Sequence, residues 1–446
     1  MKIYALLSCL AMAINTNAFT LNPHRLVAST SNKQHETTRC SSPLYSSESN
    51  ESNASNGNNL SRRSAVSKSA QSLAAIFLTN SLLPTNPALA DIQYPYTTPK
   101  TILMTGSNSG IGYDAAKRMA KQGHTVILAC RSLSKAKDTA TKIQLELNAD
   151  SNSSSNSNVQ LKLIPKECNL ADLTSVRNFI SDLANDTDLK SKGGIDALCL
   201  NAGIARNTAA KDVLRTAQGF ELTIGTNHLG HFLLTQEILK NSLLKDGANI
   251  VVTASGVHDP DSPGGAQGSK ATLGDLQGLE KAVASTSTGA SGEFDMVDGG
   301  EFDPDKAYKD SKLCTVFFMK ELQQRLDKDT RHKGINVNAF NPGLIVSTGL
   351  FRDQNPLFTK VFDFAATDLF KVGESPHWGG GALEYMTLDG GVISKGGQYY
   401  TSPPGSSKYG DQAFGKQFAV SDVSKEAMDD VKGKRFWELS EKLVGI

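Results

Sequence analysis

Thr105-Gly106-Ser107-Asn108-Ser109-Gly110-Ile111-Gly112 decides the fold of this 446-residue chain. The stretch follows an apolar strand, Thr101–Thr105, and opens a helical pattern that runs to about Lys121. Glycines at a strand-to-helix turn let the backbone bend sharply and approach a pyrophosphate, whose charge meets the helix N-terminus. Gly106, Ser107, Asn108, Gly110, Ile111 and Gly112 are therefore candidate nucleotide contacts.

Downstream, a second strand at Thr125–Ala129 precedes a helix at Lys135–Leu147. Nucleotide folds that prefer NAD carry an acidic residue after this strand to hold the ribose 2′-hydroxyl. Here Arg131 and Lys135 stand instead, and two cations suit a 2′-phosphate, so NADPH is the expected cofactor. A polar stretch, Asn148–Asn158, reads as a surface loop. Further strands are expected at Leu161–Ile164, Ala197–Leu200, Ile250–Thr253 and Asn336–Phe340, with helices between them. Asn201-Ala202-Gly203 follows the fourth strand, a small-residue turn against which the nucleotide can lie. The alternation predicts an α/β class: one Rossmann-type domain with a doubly wound parallel sheet.

Tyr308 and Lys312, in Ala-Tyr-Lys-Asp-Ser-Lys, are four apart and share one helix face. A phenol that ordinarily titrates near 10 is a poor proton catalyst at neutral pH, and a neighbouring ammonium is expected to lower that value. Ser255 after a strand and Asn227 in a helix complete a candidate catalytic set. His228 and His231, three apart on an apolar helix, read as packing residues. Before the Tyr/Lys helix, Gly256–Lys306 breaks the rhythm with about fifty Gly/Ser-rich residues, a length usually reserved for lids and binding loops. Leu273, Leu276, Leu279, Phe294 and Met296 in this insert are expected to meet a large apolar ligand.

The N-terminus reads as a leader. Met1–Ala18 has a basic start, an apolar run and small residues at its end, like a secretory signal. Ser31–Leu60 holds eight Ser and six Asn, too little apolar surface to offset ordering. Arg62-Arg63, an apolar run and Ala88-Leu89-Ala90 then resemble a thylakoid-transfer signal, so residues 19–90 are expected to be a plastid leader and 91–446 the catalytic domain. A secreted protein with a long disordered arm is the plainer alternative. The whole chain carries 46 basic and 45 acidic side chains, and the body after residue 90 is mildly acidic. That balance offers no footprint for nucleic acid. Six cysteines without a CxxC pair argue against a metal site or a disulfide scaffold.

More specific segments follow. Gly219-Phe220-Glu221-Leu222-Thr223-Ile224-Gly225-Thr226-Asn227-His228-Leu229-Gly230-His231-Phe232-Leu233-Leu234, Leu273-Gly274-Asp275-Leu276, Asp298-Gly299-Gly300-Glu301-Phe302-Asp303, Thr348-Gly349-Leu350-Phe351-Arg352 and the tail Trp437–Gly445 stand out. With the motifs above, they resemble the light-dependent protochlorophyllide reductases within the short-chain dehydrogenase/reductase family. The resemblance runs from about Lys100 to Ile446. It implies light-driven reduction of the C17–C18 double bond of protochlorophyllide by NADPH. The leader places the chain in a chloroplast beside the thylakoid; its second signal points to the lumen, but a soluble NADPH pool is expected in the stroma, so the stromal side is the expected one. By position the resemblance implies that Tyr308 donates the proton and Lys312 is its electrostatic partner. Asn227 would hold a helix kink and a relay water, Ser255 would orient the reacting group, and Thr348, after Pro342-Gly343, would face the nicotinamide.

Two positions depart from that pattern. Leu344 stands where the relatives have cysteine, and Ala205 where they have tyrosine. Val251–His258 is also closer in type to retinol dehydrogenases. A dark NADPH-dependent reductase of a carbonyl on an apolar plastid pigment or lipid therefore stays open, as does a pigment-binding protein without turnover. Oligomeric state stays open too, a homo-oligomer included.

The phosphate assignment is directly testable. Charge-assisted contacts are worth roughly 1.5–3 kcal/mol each, so Arg131→Ala with Lys135→Ala should weaken NADPH binding at least about tenfold. Fluorescence titration of the cofactor checks this, and an unchanged affinity would place the phosphate elsewhere.

Overall fold

The computed structural model describes residues 98–151, 161–287, 292–351, 353–354, 359–360, 363–369 and 371–446. The signal-like segment and the rest of the leader lie outside the described residues, as does Arg352.

Eight strands form one sheet in the order β3-β2-β1-β4-β5-β6-β7-β8. They are β1 (Thr101–Thr105), β2 (Thr125–Cys130), β3 (Lys162–Glu167), β4 (Ile195–Leu200), β5 (Leu244–Thr253), β6 (Asn336–Phe340), β7 (Tyr399–Thr401) and β8 (Ala419–Ser421). Neighbours from β3 to β7 are parallel, and β8 closes the edge antiparallel to β7. β1 and β2 are buried at every position, as expected of strands covered on both faces. Alternate side chains enter different cores. Leu103 and Ile127 join one cluster, while Ile102, Met104, Val126 and Leu128 join the other. The doubly wound expectation holds.

β1 and β6 have their predicted bounds, β2, β4 and β5 extend beyond theirs, and β3 starts one residue later and ends three later. β3 runs through Pro165, a residue that lacks a donor and is tolerated because β3 is the sheet edge, paired only with β2. β7 and β8, three residues each, are too short to show a period in sequence. Helix α1 (Gly110–Lys121) follows β1, and α2 (Leu133–Ser151) follows β2. The polar loop expected from Asn148 begins later, because α2 continues through Ser151. Its remaining residues to Asn158 are outside the described set.

Beyond β3, α3 (Leu173–Ala184) packs with α4 (Gly230–Lys240), which is entered through a π turn at Gly225–Leu229. The insert before the Tyr/Lys helix is not structureless. It contains a 3₁₀ turn at Gly256–His258 and helix α5 (Gln277–Ser287), and its last residues begin α6 (Pro304–Leu326). Its apolar residues correct the ligand-contact expectation. Leu273, Leu276, Leu279 and Phe294 are buried in the main core beside Phe436 and Trp437, which the C-terminal helix α8 (Asp430–Val444) supplies. Met296 is likewise fully buried. Their hydrophobic surface is used by the protein itself, and α7 (Pro376–Leu388) covers the opposite face against α1.

Truncating a packed leucine loses both transfer energy and cavity energy, about 2–5 kcal/mol. Leu279→Ala should lower unfolding free energy in that range, measured by chemical denaturation. A change within about 0.5 kcal/mol, the usual value for surface substitutions, would mean the insert is an accessory lid after all.

Candidate active site

The C-terminal ends of β1, β2, β4, β5 and β6 open on a cavity of about 1690 Å³. It sits at the reversal of strand order between β1 and β4, the place where open α/β sheets bind ligands. Thr105, the last residue of β1, organises this edge. Its hydroxyl accepts from the backbone N–H groups of Asn201 (2.9 Å) and Ala202 (3.0 Å). Asn201 donates its amide to the carbonyls of Thr105 (3.2 Å) and Gly106 (3.4 Å) and accepts from the Thr253 hydroxyl. One side chain thus ties the ends of β1, β4 and β5 together.

The glycine turn is shaped by close approach. Gly106 and Gly110 have φ of 65° and 56°, in the left-handed region that favours glycine. A Cβ on Gly112 would lie 2.4 Å from the Gly106 carbonyl oxygen and 2.5 Å from the Asn201 amide. Gly106, Asn108, Ser109, Gly110 and Ile111 line the cavity, whereas Ser107 and Gly112 do not. Ser107 is fully buried with its hydroxyl 3.4 Å from the Cys130 sulfur. Both residues support the turn from within, Ser107 beside Cys130 and Gly112 through its close approach to Gly106 and Asn201.

Arg131 and Lys135 are exposed on the cavity wall and make no ion pair among the described residues. Their free cationic heads fit a 2′-phosphate, and the glycine turn over the α1 N-terminus fits a pyrophosphate. Ala202, Gly203 and Asn201 line the wall between them and the catalytic groups. Pro342, Gly343 and Thr348 line the far side, and Thr348 sits over the glycine turn, 3.0 Å from where a Gly110 Cβ would be.

Tyr308 and Lys312 project from α6 into this cavity. Asp303 caps that helix, accepting from the N–H groups of Asp305 and Lys306. The Lys312 ammonium donates to the Thr253 carbonyl at 2.9 Å and lies 5.7 Å from the centre of the Tyr308 ring. Burial pushes the Lys312 ammonium down to about 8. Burial pushes the Tyr308 phenol above its ordinary value, opposed by a hydrogen bond with Ser255. Desolvation raises the phenol, against the expectation of a lowered one, and the group that opposes the rise is Ser255 rather than Lys312. A phenol raised this way keeps its proton across the neutral range, as a proton donor must.

Asn227 acts from behind the cavity wall. It lies within the π turn, so the kink is present, but the residue does not line the cavity. Its side chain is held by Ile204, accepting from the N–H and donating to the carbonyl at 2.9 Å each, and donates to the Ser311 hydroxyl at 3.0 Å. It positions the Gly203–Ile204 backbone.

Histidines supply a layer that sequence reasoning passed over. His231 Nδ1 donates to the Asn227 carbonyl at 3.0 Å, so Nε2 accepts from the Thr105 hydroxyl at 2.9 Å. The residue joins the π turn to the end of β1. His258 does the same for Ser255: Nδ1 donates to the Ser255 carbonyl at 2.7 Å, and Nε2 accepts from the Ser424 N–H. Burial lowers both rings, His231 to about 4, so they stay neutral. His228, on Ser440 and packed against Phe436, is the packing residue expected. Nothing in the spacing distinguishes His231 from His228, since only the strand end it meets does so. Leu344 and Ala205 both line the cavity, as does the buried Arg206, which no motif marks.

The short chain dehydrogenase family model matches residues 100–276. The protochlorophyllide reductase of Avena sativa is 36% identical over 77% of this chain and 99% of its own length. Protochlorophyllide reductase A, chloroplastic, of Arabidopsis thaliana is 33% identical over 77% of this chain and 76% of its own. Among solved structures, an uncharacterised protein from Mycobacterium paratuberculosis superposes with a TM-score of 0.51 at 25% identity, covering 81% of this chain and 98% of that one. Similarity of this depth covers about three quarters of the chain, well beyond the residues that the family model matches. The chain belongs to the short-chain dehydrogenase family, among its protochlorophyllide reductases, and is an NADPH-dependent oxidoreductase.

Proposed function

We propose that this protein reduces the C17–C18 double bond of protochlorophyllide with NADPH, driven by light absorbed by the pigment, within chlorophyll synthesis in a plastid. The observation that carries the reading is the half-buried Tyr308 phenol, hydrogen-bonded to Ser255 and facing a cavity with room for the cofactor and a large substrate together. The relatives, protochlorophyllide reductases and in part chloroplastic, supply the pigment and the compartment. NADPH, when bound, supplies a hydride.

The chain's own residues handle the proton. Tyr308 holds it at the phenol oxygen and delivers it to the carbon that does not receive the hydride. Ser255 orients that oxygen. The Lys312 ammonium, fixed on the Thr253 carbonyl, offsets the charge left on the phenolate. Asn227, acting through Ile204, holds the wall opposite.

Leu344 and Ala205 on the cavity wall favour one second reading, a dark NADPH-dependent carbonyl reductase of an apolar plastid pigment or lipid. Peripheral association with the thylakoid on its stromal side also belongs to the proposal, resting on the leader and on the compartment where the cofactor is made. A homo-oligomer is compatible with both readings.

Product formed per flash from protochlorophyllide and NADPH tests the assignment, and equal turnover in darkness would overturn it. General acid catalysis contributes about 10²–10⁴-fold, so Tyr308→Phe should slow reduction by that factor and leave NADPH affinity intact. The pH profile carries a second outcome. Lys312 is charged below about pH 8 and neutral above it, so kcat/KM should fall on the alkaline side with a midpoint near 8. A flat profile from pH 7 to 9.5 would remove Lys312 from the reaction.

A further inference from the structure

We propose that Arg206, with Thr226 and Gln354 beside it, forms an anion-binding corner of the cavity that takes a carboxylate carried by the substrate. The inference rests on the proposed pigment reading, since it names the part of the ligand this corner would hold. All three residues line the cavity, and each carries a buried polar atom without a partner: Arg206 Nη1, the Thr226 hydroxyl and Gln354 Oε1. Arg206 and Gln354 are each only 8% exposed. A buried guanidinium nitrogen left unpaired is costly, and the cost is relieved when a ligand brings the missing acceptor.

The corner is built rigidly from both sides. Asn227 clamps Ile204, two residues before Arg206, and the Gln354 amide donates to the Arg206 carbonyl at 3.1 Å. Thr226 precedes Asn227 in the π turn. The charges already near Arg206 do not saturate it. Glu221 is fully buried, and its two oxygens are taken by the N–H groups of Thr223 (2.9 Å) and Ile224 (2.8 Å). Asp212 meets Arg206 Nη2 at a long 3.3 Å through both oxygens and is 68% exposed. Pairs of that kind are worth little, so a ligand carboxylate can replace Asp212 at small cost. A carboxylate accepts from Arg206 and Thr226 together, which leaves Gln354 Oε1 for a donor elsewhere on the ligand.

Position favours a substrate acid over a cofactor phosphate. Arg131, Lys135 and the glycine turn serve the cofactor's phosphates, while Arg206 follows the Gly203–Ile204 wall beside Lys312 and Tyr308.

The test uses an unreactive macrocycle, mesoporphyrin diacid, and its dimethyl ester, titrated in darkness by fluorescence. The wild-type protein should bind the diacid at least about tenfold more tightly than the ester, as a charge-assisted bond predicts. Arg206→Met should bring the diacid down to the ester's affinity and leave NADPH affinity unchanged, while Arg206→Lys should retain part of the preference. Asp212→Asn, an exposed change that leaves the fold alone, should tighten the diacid several-fold without moving the ester. A merely structural arginine would not give that gain. Equal binding of diacid and ester, no binding of either, or no gain in Asp212→Asn overturns the carboxylate corner. Loss of NADPH affinity in Arg206→Met moves the residue to the cofactor and also overturns it. Reduction of protochlorophyllide by the same wild-type preparation is scored separately, so failure of the pigment reading is seen independently.

Discussion

The site depends on how the end of β1 is closed. A parallel strand that stops at a cavity leaves backbone donors and acceptors that must be met by something other than the next strand. Thr105 meets this need with one hydroxyl, which collects the Asn201 and Ala202 N–H groups and donates to His231. His231 then holds the carbonyl of Asn227, and Asn227 clamps both polar groups of Ile204. The nucleotide turn and the substrate wall are therefore positioned by one continuous chain of hydrogen bonds. Neutral imidazoles suit this task, because a charged ring would have no acceptor to offer Thr105.

Desolvation sets the proton inventory. The same burial that raises the Tyr308 phenol lowers the Lys312 ammonium, so the pair keeps one donor loaded and one charge close to its titration point. An attractive pairing of the two would have moved both values the other way. The insert contributes to this dryness indirectly. Its leucines and Phe294 are spent in the core with α8, and this fixes the backbone from Val257 to Gln267 and from Gly300 to Pro304 along the cavity rim.

The alternating pattern determined the sheet, its parallel sense and the order of nucleotide and catalytic elements, because buried strands must be apolar and glycine turns carry their own steric signature. Sequence also determined the cationic wall at Arg131 and Lys135, since a charge type after β2 needs no knowledge of distance. Tyr308 and Lys312 were legible because four residues on a helix are always neighbours.

Tertiary structure alone decided which apolar residues serve the ligand and which serve the core. Leu273, Leu276 and Leu279 have the composition of a binding surface and the location of a core, and composition does not encode location. It alone separated His231 from His228, and showed Ser107 beside Cys130, Gly112 against Gly106 and Asn227 clamped on Ile204. It alone gave Tyr308 its raised phenol, because desolvation depends on every neighbour packed around a group, and no spacing along the chain records who those neighbours are.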